Sequence, residues 1–202
     1  MTTISRTRLN PEQRKQQLLQ AAIEVFARRG IGRAAHADIA SATKVSVPTV
    51  FNYFKTREDL VDAVLSHVES EIIQFAERHH SHPWRDPMET LLEFSYEFLD
   101  LAQEKPNLIK IWLEWSASVR DDVWPRYLSF KEQIVDIVEP TIQRGLDQGI
   151  FNSSLGGRSL TRMLLAQAQP VTLAHFTPEP PPSDVVEFVQ ICANTMLGVE
   201  RK

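Results

Sequence analysis

The residues best suited to chemistry lie between Ser46 and Phe54, which read Ser-Val-Pro-Thr-Val-Phe-Asn-Tyr-Phe. None of them pairs a nucleophile with a base, so what they offer is recognition rather than bond breaking. On a helix, Thr49, Asn52 and Tyr53 project polar groups from an exposed face, while Val50 and Phe54 turn inward toward Ile39 and Phe26. An asparagine amide matches the donor–acceptor edge of adenine in the major groove, and threonine methyls suit thymine. Serine and tyrosine hydroxyls hold phosphate oxygens and set register without reading sequence. The pattern points to duplex DNA. The plainer alternative is a helical hairpin with no ligand.

Such a face needs a body to hold it, because helices this short are marginal on their own. The spacing predicts a second helix over 37–43, a turn at Lys44-Val45-Ser46 and a third helix over 47–53, the layout of a helix-turn-helix. Ser46 caps the third helix, and Pro48 falls in its first turn, where proline is tolerated. A first helix starts at Asn10-Pro11, with Gln13 three residues after the cap, and stops at Gly30; Leu18, Leu19, Ala22, Ile23 and Phe26 form its buried stripe. Thr56-Arg-Glu-Asp59 resembles a capping box and opens a long fourth helix, with Leu60, Val64, Val68 and Ile72 on one stripe.

Beyond His79-His-Ser-His-Pro83 the same signals place a fifth helix from Asp86-Pro87, ended by Lys105-Pro106, and a sixth carrying Ile109, Trp112, Leu113 and Trp115. A seventh runs over about 122–146, kinked at Pro140, an eighth over about 158–176 with Pro170 inside, and a ninth over about 184–198. No strand signal stands out. The expected fold is all-α with nine helices, divided into residues 1–55 (arm and helix-turn-helix) and 56–202 (regulatory and dimerisation body).

At 202 residues the chain has ample length for a core, and no apolar run approaches the roughly 18 residues of a membrane helix. There is no apolar signal region at the N-terminus. The single cysteine, Cys192, excludes an intrachain disulfide and a cysteine zinc cluster, which fits a reducing cytoplasm. The net charge of −4 argues superficially against a nucleic-acid partner. It averages a split, however: residues 1–60 hold ten Lys/Arg against five Asp/Glu, and the rest hold twelve against twenty-one. A basic head on an acidic body places attraction to phosphate at one end. No nucleophile motif, phosphate loop or metalloprotease helix is present, so neither catalysis nor a cofactor is expected.

With these elements in place, the chain resembles the TetR family of bacterial transcription regulators: a second helix, a turn, a short third helix ending in Phe-Asn-Tyr-Phe, then Lys-Thr-Arg-Glu-Asp-Leu. Within that family it is similar to the vibrio quorum-sensing master regulators (the LuxR/HapR type). The carrying motifs are Phe-Ala-Arg-Arg-Gly-Ile-Gly-Arg (26–33), His-Ala-Asp-Ile-Ala (36–40), Val45 to Phe54, Thr-Arg-Glu-Asp-Leu-Val (56–61) and, outside the head, Glu-Trp-Ser-Ala-Ser-x-Arg-Asp-x-Val-Trp-Pro (114–125). The resemblance is strong to about residue 125 and weak beyond it.

What the resemblance implies is a homodimer on a pseudo-palindromic operator, joined through its last two helices. An arm carrying Arg6-Thr7-Arg8-Leu9 would reach the minor groove, where flexible arginines favour narrow A·T-rich tracts; the alternative is a disordered tail. The implied DNA-facing set adds His36, Val47, Pro48 and Lys55 to Arg6, Arg8, Ser46, Thr49, Asn52 and Tyr53. Three positions depart from relatives: Phe51 where the wider family usually has Tyr, Lys55 where Pro can stand, and Ala34-Ala35 for a more Gly-rich pair.

The resemblance also implies a ligand pocket in the body. Phe75, Phe94, Phe98, Trp112, Trp115 and Met163 are candidate walls, with Lys131 and Gln167 as polar points, and packed core as the alternative. His79, His80 and His82 are read as exposed loop histidines, since no carboxylate or cysteine partner stands at ligand spacing, so no metal is expected. Cys192, among Val185, Val189 and Met196, is read as interface packing. Two functions follow: a global regulator answering cell density, or a local repressor released by an apolar small molecule. An α-helical enzyme or carrier that merely keeps the head is the competing class.

Overall fold

The computed structural model describes residues 9–176, 190–191 and 194–198. Among them there are nine helices and no strand. The chain divides into two compact units, Met1–Val68 and Glu69–Lys202. The division falls inside the fourth helix, where the sequence suggested a boundary at 55/56.

The first unit is built on α1 (Pro11–Arg29), α2 (His36–Thr43), α3 (Val47–Tyr53) and the start of α4 (Arg57–His80). The Gln13 N–H donates to Asn10 Oδ1 at 2.8 Å and the Asn10 N–H donates to Gln13 Oε1 at 3.1 Å, a reciprocal cap that fixes where α1 starts. Gly30, at φ 88°, ends it in a conformation that costs glycine little. Thr56 and Asp59 form the same kind of box before α4, each backbone N–H donating to the other's side chain at 3.0 Å. Leu18, Ala22, Phe26, Ile39, Val50, Phe54, Leu60 and Val64 are all buried, so α1, α2 and α3 share one core with α4's first turns. Arg29 pairs with Asp38 at 2.7 Å, and the Arg57 guanidinium donates to the Ile31 carbonyl.

The second unit holds the end of α4 with α5 (Pro87–Glu104), α6 (Pro106–Ser116), α7 (Trp124–Asp147), α8 (Gly157–Ala166) and α9 (Ala168–His175). A proline opens α5 and α6 and stands second in α7, the start positions where a missing N–H costs nothing. The long eighth helix expected over 158–176 is two helices, broken at Gln167. Pro170 has no N–H to give the Ala166 carbonyl, so the chain ends one helix and begins another a turn earlier. Pro140 by contrast sits inside a continuous α7.

Arg158 reaches Glu132, Asp136 and Glu139 at 2.7–2.8 Å, and Arg162 reaches Glu132 at 2.7 Å, tying α8 to α7. The bidentate pair of Arg126 with Glu69, at 2.9 and 2.6 Å, does the same between α7 and α4. Of the expected ninth helix, residues 190–191 and 194–197 are helical, and the Asn152 N–H donates to the Leu197 carbonyl at 2.7 Å. Cys192, Val185 and Val189, together with Arg6 and Arg8, lie outside the described residues.

Candidate nucleic-acid interface and ligand cavity

The α2–turn–α3 segment is positioned by local hydrogen bonds. Asp38 Oδ2 accepts the Ala35 N–H at 3.0 Å, and Lys44, at φ 54°, makes the left-handed turn. Ser46 Oγ caps α3 by accepting the Thr49 N–H at 3.3 Å and pairs with the Thr49 hydroxyl at 2.8 Å. With Val50 buried, α3 exposes Ser46, Val47, Pro48, Phe51 and Asn52, with Lys55 just beyond its end; Thr49 and Tyr53 are half-buried. The face offers an amide, hydroxyls and a lysine beside apolar groups, the mix that base edges, phosphates and thymine methyls call for.

His36 does not belong to that face. It is buried, its Nε2 lies 2.7 Å from the Phe54 carbonyl, and its ring stacks on Phe51 with centroids 4.0 Å apart. The carbonyl that ends α3 needs a donor, and His36 on the first turn of α2 supplies it, which holds the end of α3 in place. Phe51, which stands where the wider family usually has Tyr, is 44% exposed on the same face and was not among the expected DNA-facing residues. The signal for it was the pairing of an aromatic at 51 with a histidine at the head of α2.

In the body, a cavity of about 280 Å³ is walled by Phe94 and Phe98 of α5, Trp112 of α6, Trp124, Tyr127 and Phe130 of α7, and Leu164, Val171 and Thr172 of α8 and α9. Lys131 and Gln167 also line it, as expected. Three expected wall residues do not. Phe75 is buried behind the wall, with its ring 5.3 Å from that of Phe94 and 5.8 Å from that of Phe98. Trp115 is fully buried, donating its indole N–H to the Val123 carbonyl at 3.0 Å and stacking on Phe130. Met163 is 45% exposed, because the buried stripe of α8 runs through Gly157, Leu160 and Thr161 and leaves position 163 outward.

Sequence reading missed the α7 wall of Tyr127, Phe130, Ile134 and Val138, although its i, i+3, i+7, i+11 spacing was there to be seen. Burial pushes the Tyr127 phenol up from its ordinary range, opposed by a hydrogen bond with Ser116.

The histidines of α4 correct another expectation. His79 and His80 are buried, not exposed. His79 Nδ1 sits 2.8 Å from the Phe75 carbonyl and Nε2 3.0 Å from Glu97, while His80 Nδ1 is 2.9 Å from the Thr141 hydroxyl. Burial first, and then the neighbouring His79 and Arg144, lower His80 to about 4. No cluster of three or more metal-ligating side chains occurs among the described residues.

Residues 18–64 match the family described as bacterial regulatory proteins, tetR family. Over 149 residues the chain is 43% identical to the HTH-type transcriptional regulator LuxR of Vibrio harveyi, covering 71% of this chain and 70% of that one. The chain belongs to the TetR family. This TetR-family regulator also shares its fold with a TetR-like transcriptional regulator from Rhodococcus sp. RHA1 (TM-score 0.76, 18% identity, 96% of this chain and 100% of that one). It likewise resembles the transcriptional regulator FadR of Bacillus subtilis, solved in complex with stearoyl-CoA (TM-score 0.75, 17% identity, 92% and 99% covered). The helix-turn-helix is thus the head of a DNA-binding transcription regulator, and no described helix is long and apolar enough to cross a membrane.

Proposed function

We propose that this regulator binds a pseudo-palindromic operator as a homodimer. Each α3 enters a major groove, with Thr49 and Asn52 on base edges and Ser46, Tyr53 and Lys55 on phosphate. Val47 and Pro48 lie against the groove floor, and an arm with Arg6 and Arg8 occupies the adjoining minor groove. The observation that carries this is the exposed face of α3, held by Ser46 at one end and by the His36–Phe54 contact at the other. The dimer joins through the region of α8, α9 and the C-terminal helical residues, where Met163 and Leu173 stand exposed at 45% and 56%. Similarity to the LuxR branch supports control of many genes in answer to cell density, in the cytoplasm.

A gel-shift titration over a salt series tests the reading. Specific binding well above the nonspecific background, with a stoichiometry of two chains per site, is expected. A single-affinity, sequence-blind curve is what an enzyme or carrier that keeps only the head would give.

The cavity favours one second reading, a local repressor released by an apolar small molecule. Genome-wide footprinting at low and high cell density separates the two: many sites in one case, a neighbouring promoter in the other.

A further inference from the structure

The cavity is apolar in area but not neutral in charge. Among the described residues that line it there is one cation, Lys131, and no aspartate or glutamate. Lys131 is half-buried on α7. An ammonium in an apolar wall loses hydration, and with no carboxylate in that wall its field acts on whatever enters. Thr172 adds a second requirement. It lines the same cavity, is fully buried, and its hydroxyl has no hydrogen-bond partner among the described residues. Buried hydroxyls are rarely left so, and a ligand oxygen brought against this one would supply the missing partner. The Gln167 and Gln169 amides supply further donors, whereas Ser95 already gives its hydroxyl to the Leu91 carbonyl at 2.8 Å.

We propose that the cavity takes a small monoanion with an apolar body, a monocarboxylate in the simplest case, with Lys131 as its counter-charge and Thr172 as a hydrogen-bond donor. The proposal rests on the reading of the cavity as an effector site and adds the class of effector. A neutral hydrocarbon would give neither the ammonium nor the hydroxyl a partner. A cation would meet Lys131 with no carboxylate in the wall to offset it, and a dianion would bring a second charge with no second cation. The volume of about 280 Å³ corresponds to roughly nine water volumes, so the ligand has on the order of ten heavy atoms. The rings of Phe94, Phe98, Trp112, Tyr127 and Phe130 enclose its apolar part.

Titration calorimetry with three probes of one chain length (octanoate, 1-octanol and octylammonium) on the full chain tests this. Octanoate is expected to bind at least tenfold more tightly than either of the others. In Lys131→Met that preference disappears and octanoate falls to the affinity of octanol, while Lys131→Arg, which keeps the charge, retains it. Equal binding of octanoate and octanol to the wild type overturns the charge assignment and leaves the effector cavity standing. An octanoate preference that survives Lys131→Met also overturns it, by placing the anion elsewhere. Absence of binding by all three at millimolar concentration overturns the effector reading and this inference with it.

Discussion

Asn52 is exposed on α3 and His36 is buried on α2, and a variant of each separates DNA contact from support of the fold. Asn52→Ala is expected to cost roughly 1–3 kcal/mol of specific binding and to relax preference at one base pair. A gel-shift panel of operators substituted base by base reads this out; uniform weakening across the panel would move Asn52 from base reading to phosphate. His36→Ala instead removes the contact to the Phe54 carbonyl and is expected to lower stability by about 1–3 kcal/mol, since a buried acceptor is left unsatisfied. Urea denaturation measures that loss. Both residues sit in motifs that carry the family resemblance, and the sequence did not show that one is exposed and the other buried against a carbonyl. The sequence shows what a side chain can donate, but not whether a neighbouring backbone carbonyl has already claimed it. Trp112 and Trp115 make the same point: three residues apart on α6, one lines the cavity and the other caps the Val123 carbonyl. His80 yields a pH prediction. Its proton affinity is lowered from 6.5 to about 4 in the folded chain, so between those values the unfolded state binds more protons than the native state. Stability due to His80 is therefore complete above pH 6.5, declines as pH falls toward 4, and levels off below. NMR titration should find the His80 imidazole neutral at pH 5, and His80→Phe should flatten the stability slope in that window.

Helix starts were the most legible elements, because Asn10, Ser46, Thr56 and Asp86 carry caps whose chemistry is local to three or four residues. Interruptions deeper in a helix were less so. Pro140 and Pro170 each lack a donor, but α7 continues through the first and α8 ends before the second. The difference lies in tertiary support. Val135, Val138 and Ile142 bury α7 on both sides of Pro140, while Ala166 and Pro170 at the α8–α9 break are exposed. Near the end of α7 one glycine leaves room for a ring. A Cβ on Gly145 would fall 2.0–2.1 Å from the Phe151 ring, which folds back against the helix. Gly145→Ala should therefore destabilise the body by about 1–3 kcal/mol through overpacking. Adding Phe151→Leu should restore part of the loss in a thermal melt if the clash is the cause. A melt unchanged by Gly145→Ala would mean that Phe151 has room to move aside.

For the molecule as a whole, the decisive property is the separation of charge along the chain: ten basic against five acidic residues up to position 60, and twelve against twenty-one after it. An acidic body repels phosphate, so if DNA binds at the head the strength of binding should follow how many phosphates the head neutralises. Each neutralised phosphate contributes about −0.9 to the slope of log K against log salt. Arg6 and Arg8 are two of the ten basic residues, and if both enter the minor groove in each protomer, replacing them with alanine should reduce the magnitude of that slope by about 2 to 4. The loss should be largest on operators flanked by A·T tracts, whose narrow minor groove concentrates negative potential, and smaller on G·C flanks. Fluorescence anisotropy over a salt series, on both kinds of flank, measures slope and preference together. An unchanged slope would assign the arm no part in binding, while a reduced slope with no flank preference would make it a phosphate contact rather than a groove reader. Sedimentation completes the argument, because a slope counted per dimer requires two heads on one site. A chain that stays monomeric at micromolar concentration would halve the expected change and remove the exposed Met163 and Leu173 as an interface.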